Sequence, residues 1–143
     1  MTCILGCDHG GLRLANEILT HLQNRATKII HIFPEANIKV DYPDYANLLC
    51  KQVLAESAFG ILICGSGIGM SIAANKFKGI RAALCVNEYM ARFARKHNDA
   101  NVLCLGERVI GSDVALGIVD VFLSTEFDGG RHKIRVDKVN LLG

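Results

Sequence analysis

Apolar residues along this chain follow two rhythms that alternate from end to end. Short unbroken apolar runs predict buried strands, and apolar residues three or four apart predict amphipathic helices. The first strand is predicted at residues 3–6, and Leu12, Ala15, Ile18, Leu19 and Leu22 then recur at helical spacing. Residues 28–33 (KIIHIF) predict a second strand and 34–41 a loop. Pro43 suits the first turn of a helix over 44–56. Residues 60–64 (GILIC) form a third strand, and a glycine-rich turn leads into a helix over 70–76. A fourth strand is predicted at 80–86, a helix at 88–96, and a fifth strand at 101–105 (NVLCL). A helix over 112–123 has Ser112 as its expected N-cap. Met70 and Met90 read as core, and His21 and His31 as structural.

Apolar strands that alternate with helices predict an α/β fold: a five-stranded parallel sheet covered on both faces. The length, 143 residues, fits one domain over 1–143. The tail from Gly129 carries Arg131, His132, Lys133 and Arg135, then Val136, Val139, Leu141 and Leu142. It lies beyond the last strand–helix unit, so it docks either on its own chain or on a partner subunit. Parallel sheets bind ligands beyond the carboxyl ends of their strands. That rule directs attention to Cys7-Asp8-His9, to Cys64-Gly65-Ser66-Gly67, and to His97-Asn98-Asp99 beside strand five.

Composition narrows the function. Half the residues are apolar and 21% charged, which is a globular balance. The net charge of +2 argues against a nucleic-acid binder acting through bulk charge. No apolar run approaches the ~20 residues of a membrane span. The first residues read as a strand and not as an export signal, so a cytoplasmic protein is expected. Cys3, Cys64, Cys85 and Cys104 sit in strand-like runs and Cys50 in a helical one, so the six cysteines read as reduced core residues. No C-x-x-C and no paired Cys/His spacing occurs, and no metal is expected.

Five segments carry candidate chemistry. In Cys64-Gly65-Ser66-Gly67-Ile68-Gly69 a strand ends in a thiol, followed by a turn whose amides and helix terminus suit an anion or an enediolate. A tight turn with a buried cysteine reads equally well. No acid ends the next strand, where Val86-Asn87 stand, so a nicotinamide site is poorly supported. Asp8-His9 is either a helix cap or a polar clamp on a sugar or phosphate. His97, before Asn98-Asp99, is a dipole partner at a helix end or an acid–base group. Arg131 and Arg135 share a helical face suited to phosphate or simply to solvent, and Arg108 is a weaker candidate. Asp41-Tyr42-Pro43-Asp44-Tyr45 reads first as a helix start.

Together, GCDHGG (6–11), DYPDYA (41–46), GILICGSGIGMSIAANK (60–76), GIRAA (79–83), ARKHNDANVLCLGERVIG (94–111) and GGRHKIRV (129–136) resemble one family. This is the ribose/galactose isomerase family, comprising type B ribose-5-phosphate isomerases and related galactose-6-phosphate isomerase subunits. The chain departs from it mainly in the loop 31–40, where Ile32-Phe33-Pro34-Glu35 replace the usual Asp and Gly. The resemblance implies a Rossmann-like, metal- and cofactor-independent aldose–ketose isomerase. It also implies a homodimer, or a tetramer built from dimers, with each site shared between subunits. Cys64 matches the family's base and Ser66 the hydroxyl that supports it. Gly65, Gly67 and Gly69, with Ser71 and Asn98, match the anion hole. His97 matches the ring-opening residue, with Asp8 near the ring hydroxyls and Tyr42 positioning the substrate. His9, Arg131 and Arg135 match the phosphate grip, with Arg108 expected from the other subunit. Members that lack the cysteine use a Glu further on, but no acid occurs from Gly65 through Lys76. The expected reaction interconverts D-ribose 5-phosphate and D-ribulose 5-phosphate. The alternatives are a six-carbon aldose 6-phosphate, such as galactose or allose 6-phosphate, and a non-catalytic flavodoxin-like binding module.

Overall fold

The computed structural model describes residues 1–25 and 28–143. Its strands are β1 (Thr2–Cys7), β2 (Lys28–Ile32), β3 (Phe59–Cys64), β4 (Ala82–Leu84) and β5 (Val102–Gly106). Its helices are α1 (Leu12–Leu22), α2 (Tyr42–Glu56), α3 (Ile68–Ala74), α4 (Glu88–Asn98), α5 (Ser112–Ser124) and α6 (Arg131–Asn140). All strand pairings are parallel, in the order β2-β1-β3-β5-β4.

Alternate residues of the central strands feed two cores, as a period of two requires. Leu5, Ile61, Ile63, Leu103 and Leu105 meet α1, α4 and α5 through Leu14, Ile18, Ala91, Ile118 and Phe122. On the opposite face, Ile4, Leu62, Cys64 and Cys104 meet α2 and α3 through Leu49, Val53, Met70 and Ala74. From β1 the chain winds outward to β2, and from β3 it winds the other way. The β1–β3 boundary is therefore the switch point at which such sheets bind ligands. Cys7 pairs with Ile63, and Cys64 with Gly106. That register levels the carboxyl ends of β1, β3 and β5 and sets Asp8, Gly65 and Arg108 along one edge.

Three local expectations need correction. The fourth strand is only three residues long and starts two residues later than expected, because side chains hold the backbone at its start: Asn101 Oδ1 accepts the Arg81 amide at 2.8 Å and Asn75 Oδ1 accepts that of Ala82 at 2.8 Å. Gly111, not Ser112, caps α5; Ser112 is the first helical residue, and its hydroxyl accepts from Arg13 at 3.3 Å. Met90 is 38% exposed on α4, whereas Met70 is fully buried. His21 is structural as expected, 2.7 Å from the Asp120 carboxylate. The tail forms α6, which buries Val136 against its own chain but leaves Ile134, Val139, Leu141 and Leu142 exposed. Among the described residues no helix is long and apolar enough to cross a membrane.

Candidate active site

The glycine-rich turn is built around the sulfur of Cys64. The Gly67 amide donates to Cys64 Sγ at 3.1 Å, and the Ile68 amide donates to Ser66 Oγ at 3.2 Å. Gly67 sits at φ 78°, where a side chain is strained, and a Cβ there would come within 2.9 Å of the Leu105 carbonyl carbon. The left-handed step starts α3 two residues earlier than the apolar spacing predicts. The Ser71 amide closes its first turn onto the Gly67 carbonyl at 3.1 Å. Two of the turn's amides are thus spent on sulfur and hydroxyl, while those of Gly69 and Met70 have no partner within the helix.

Around this turn lies a hollow of about 360 Å³ lined by Asp8, Tyr42, Cys64, Gly65, Ser66, Gly69, Arg108 and Val109. Asp8 is buried and caps the short turn His9–Gly11 through the Gly10 amide at 2.9 Å. The cap and the site are the same side chain. Tyr42 lies across Gly69 so closely that a Cβ there would stand 2.8 Å from its Cζ. The Arg108 amide donates to the Gly65 carbonyl at 3.0 Å, and its side chain lies along Gly65. Arg108 follows β5, whose end is level with that of β3. It therefore lines its own chain's hollow, contrary to the expectation that a partner supplies it. His9 stands beside this edge with Nδ1 accepting the Val40 amide at 3.1 Å.

The remaining candidates lie at the other edge of the sheet. His97 and Asn98 end α4 ahead of β5, so they occupy the amino ends of the strands, not the carboxyl ends. Five residues of β5 span about 16 Å at the usual rise. Within one chain, His97 and Asn98 are thus separated from Cys64 by the depth of the sheet. His97, Asn98, His132 and Arg135 line a larger cavity of about 840 Å³ between α6 and the segment 75–82, with Arg131 exposed at the start of α6. The larger cavity holds no thiol, so the smaller hollow carries the nucleophile. Sequence reading missed Val109 in the hollow, and missed Lys76, Lys78 and Arg81 in the larger cavity. Lys76, Arg81 and Val109 fall inside the quoted blocks without any spacing that singles them out, and Lys78 lies outside every block.

Burial separates the cysteines. It pushes Cys3, Cys7, Cys50 and Cys85 up to about 12, with Asp8 and Glu107 adding to the effect at Cys7, and it raises Cys104 well above the ordinary value. These five stay thiols near neutrality. Cys64, 5% exposed, is the one that lines the hollow.

A doubly wound parallel sheet with a thiol, a hydroxyl, a carboxylate and a guanidinium gathered at its switch point defines an α/β enzyme of small-molecule chemistry. The ribose/galactose isomerase family matches residues 3–139, and the chain belongs to that family: it is an isomerase. It is similar to ribose-5-phosphate isomerase B of Escherichia coli (strain K12), with 46% identity covering 96% of this chain and 93% of the relative. The solved ribose-5-phosphate isomerase B of Clostridium thermocellum matches with a TM-score of 0.95 at 51% identity, covering 98% of this chain and 95% of that one. The Mycoplasma genitalium enzyme, solved with bound ribulose-5-phosphate, matches with a TM-score of 0.93 at 42% identity, covering 97% of this chain and 93% of that one.

Proposed function

We propose that this isomerase interconverts D-ribose 5-phosphate and D-ribulose 5-phosphate in the pentose phosphate pathway of the cytoplasm, with Cys64 as the proton-transfer base and no metal or cofactor. The observation that carries this reading is the Cys64 sulfur at the lip of the hollow, held by the Gly67 amide. Ribose 5-phosphate is chiefly a closed ring, so His97 first moves a proton to open it, with Asp8 holding the ring hydroxyls. Cys64 then removes the proton from C2, and the electron pair passes into a cis-enediolate. Returning that proton to C1, while the hydroxyl proton of O2 passes to O1, turns the C1 aldehyde into an alcohol and the C2 alcohol into a ketone without net redox change. Ser66 supports the Cys64 base, and the unspent amides at the start of α3 face the charge that develops on oxygen, which is the work a metal performs elsewhere. Tyr42 bounds the sugar chain, and the phosphate lies remote from the reacting carbons, where binding energy fixes orientation.

In this reading each site draws on two copies. Cys64 and Arg108 come from one chain, and His97, Asn98, Arg131 and Arg135 come from the other, in a homodimer or a dimer of dimers. Support comes from the depth of sheet between the two groups and from the apolar residues that α6 leaves exposed. His9, at the Cys64 edge, would meet the partner's arginines on the phosphate. A coupled assay across ribose 5-phosphate, galactose 6-phosphate and allose 6-phosphate, run with and without a chelator, tests the proposal. Ribose 5-phosphate should turn over fastest and lose no rate to the chelator. Preference for a six-carbon sugar refutes the substrate, and turnover that falls when the chelator is added refutes the metal-free mechanism.

A further inference from the structure

Two side chains beside His97 have no part in the chemistry above. The Asp128 amide donates to the Lys96 carbonyl at 3.0 Å, which pins the linker after α5 to the end of α4. Gly129 and Gly130 follow at φ 67° and 57° and reverse the chain. The His132 amide then donates to the Gly129 carbonyl at 3.1 Å, closing the first turn of α6. This construction lays the His132 ring on that of His97, 4.0 Å between centroids and 10° from parallel. One ligand atom each from His97, Asp128 and His132 lies within 4.8 Å of the others. Among the described residues no hydrogen bond engages either imidazole or this carboxylate.

We infer that His97, Asp128 and His132 form a binding site for a borderline divalent transition-metal ion such as Zn²⁺ or Co²⁺. Two imidazoles and one carboxylate suit these ions and do not suit Mg²⁺ or Ca²⁺, which take oxygen ligands. Ligand bonds of about 2.0–2.2 Å require the three atoms to close by roughly an ångström or more. The rings lie nearly parallel, so their in-plane lone pairs converge only once one of the half-buried imidazoles turns out of the stack, and the exposed Asp128 side chain swings to meet the same point. The carboxyl terminus of α4 adds favourable potential for a cation, whereas Arg131 and Arg135 oppose it. A bound ion would also occupy His97. On the function proposed above, which this consequence rests on, such an ion inhibits an enzyme that needs no metal for turnover.

The test is titration of the metal-free full chain with Co²⁺, read by visible d–d absorption and calorimetry, beside His132→Ala and Asp128→Asn checked for folding by circular dichroism. The wild type should develop the band and lose it to excess Zn²⁺. Both variants should bind about tenfold more weakly or worse, since even outer partners of metal ligands cost that much. No band in the wild type, equal bands in all three chains, or intense thiolate charge-transfer absorption overturns the site. Turnover is read in parallel. Inhibition of the wild type with His132→Ala spared supports the coupling to His97. A band without inhibition keeps the metal site and removes His97 from the reaction.

Discussion

The Cys64 sulfur accepts a hydrogen bond from the Gly67 amide, three residues ahead of it, at 3.1 Å. The residue that ends β3 is thereby fixed by the turn that begins α3, and the sulfur is aimed at the hollow by backbone alone. With Cys64→Ala, kcat should fall by about 10²–10⁴-fold, the usual contribution of a positioned base, while KM for ribose 5-phosphate changes little. Steady-state kinetics on both sugars reads the outcome. Near-normal turnover removes Cys64 from the mechanism.

The same burial that holds five cysteines as thiols predicts selective labelling. Iodoacetamide on the native protein should alkylate Cys64 alone, and ribose 5-phosphate should slow the reaction. Peptide mass spectrometry after short exposure identifies the modified residue. Labelling of Cys7 or Cys50 ahead of Cys64 contradicts the assignment.

Gly69 tests the wall formed by Tyr42. A methyl group there meets the phenol ring at 2.8 Å, so Gly69→Ala must push Tyr42 out of its place. Helix propensity alone favours alanine by about 0.5–1 kcal/mol, so the melting temperature should hold or rise while kcat/KM falls about tenfold. Adding Tyr42→Ala should bring the double variant level with Tyr42→Ala alone. Unaltered kinetics in Gly69→Ala would show that Tyr42 does not touch the substrate.

His132 gives a pH test. Desolvation, then the neighbouring His97, Arg131 and Arg135, lower its folded-state pKa against the pull of Asp128, so the unfolded chain binds this proton more readily. The stabilising contribution is full above the unfolded value and is lost as pH falls through the window below it. NMR titration should place His132 below the ordinary histidine value. Arg131→Ala should move it up, and Asp128→Asn should move it further down. Shifts of the opposite sign refute the charge arrangement.

Stability rests on Arg95 more than on any surface pair. It is 6% exposed, donates to Asp99 at 2.9 Å, to the Ala100 carbonyl at 2.6 Å and to the Thr125 carbonyl at 3.1 Å, and lies over the Phe59 ring. Arg95→Ala strands two carbonyls, while Asp99 regains water. A loss of about 2–4 kcal/mol is expected in urea unfolding. A loss below the ordinary surface range contradicts this account.

Much of this was legible in residue order. The apolar runs mark the strands most cleanly at β1, β3 and β5, which are buried on both faces, whereas the edge strand β2 keeps exposed Lys28 and His31 among its apolar residues. The thiol, the glycines, Asp8 and Tyr42 are legible because each lies at the end of an element that its own neighbours define. Strand polarity was the step misread: His97 precedes strand five and so stands at the amino edge. Ser112 and Met90 were misread because capping and burial were settled by Gly111 and by the rotation of α4. The approach of Asp128 and His132 to His97 depends on a reversal at Gly129-Gly130 and an amide bond to Lys96, and no spacing in the sequence encodes it.

On the proposed mechanism one chain's Cys64 works with another chain's His97. Mixing denatured Cys64→Ala and His97→Asn chains in equal amounts and refolding them decides whether the two residues meet across subunits. In a mixed dimer one site loses both groups and the other keeps both, so about a quarter of the wild-type rate should return from two inactive parents. If the mixture stays as inactive as its parents while mixed dimers are shown to form, the two residues do not meet across subunits and the account fails.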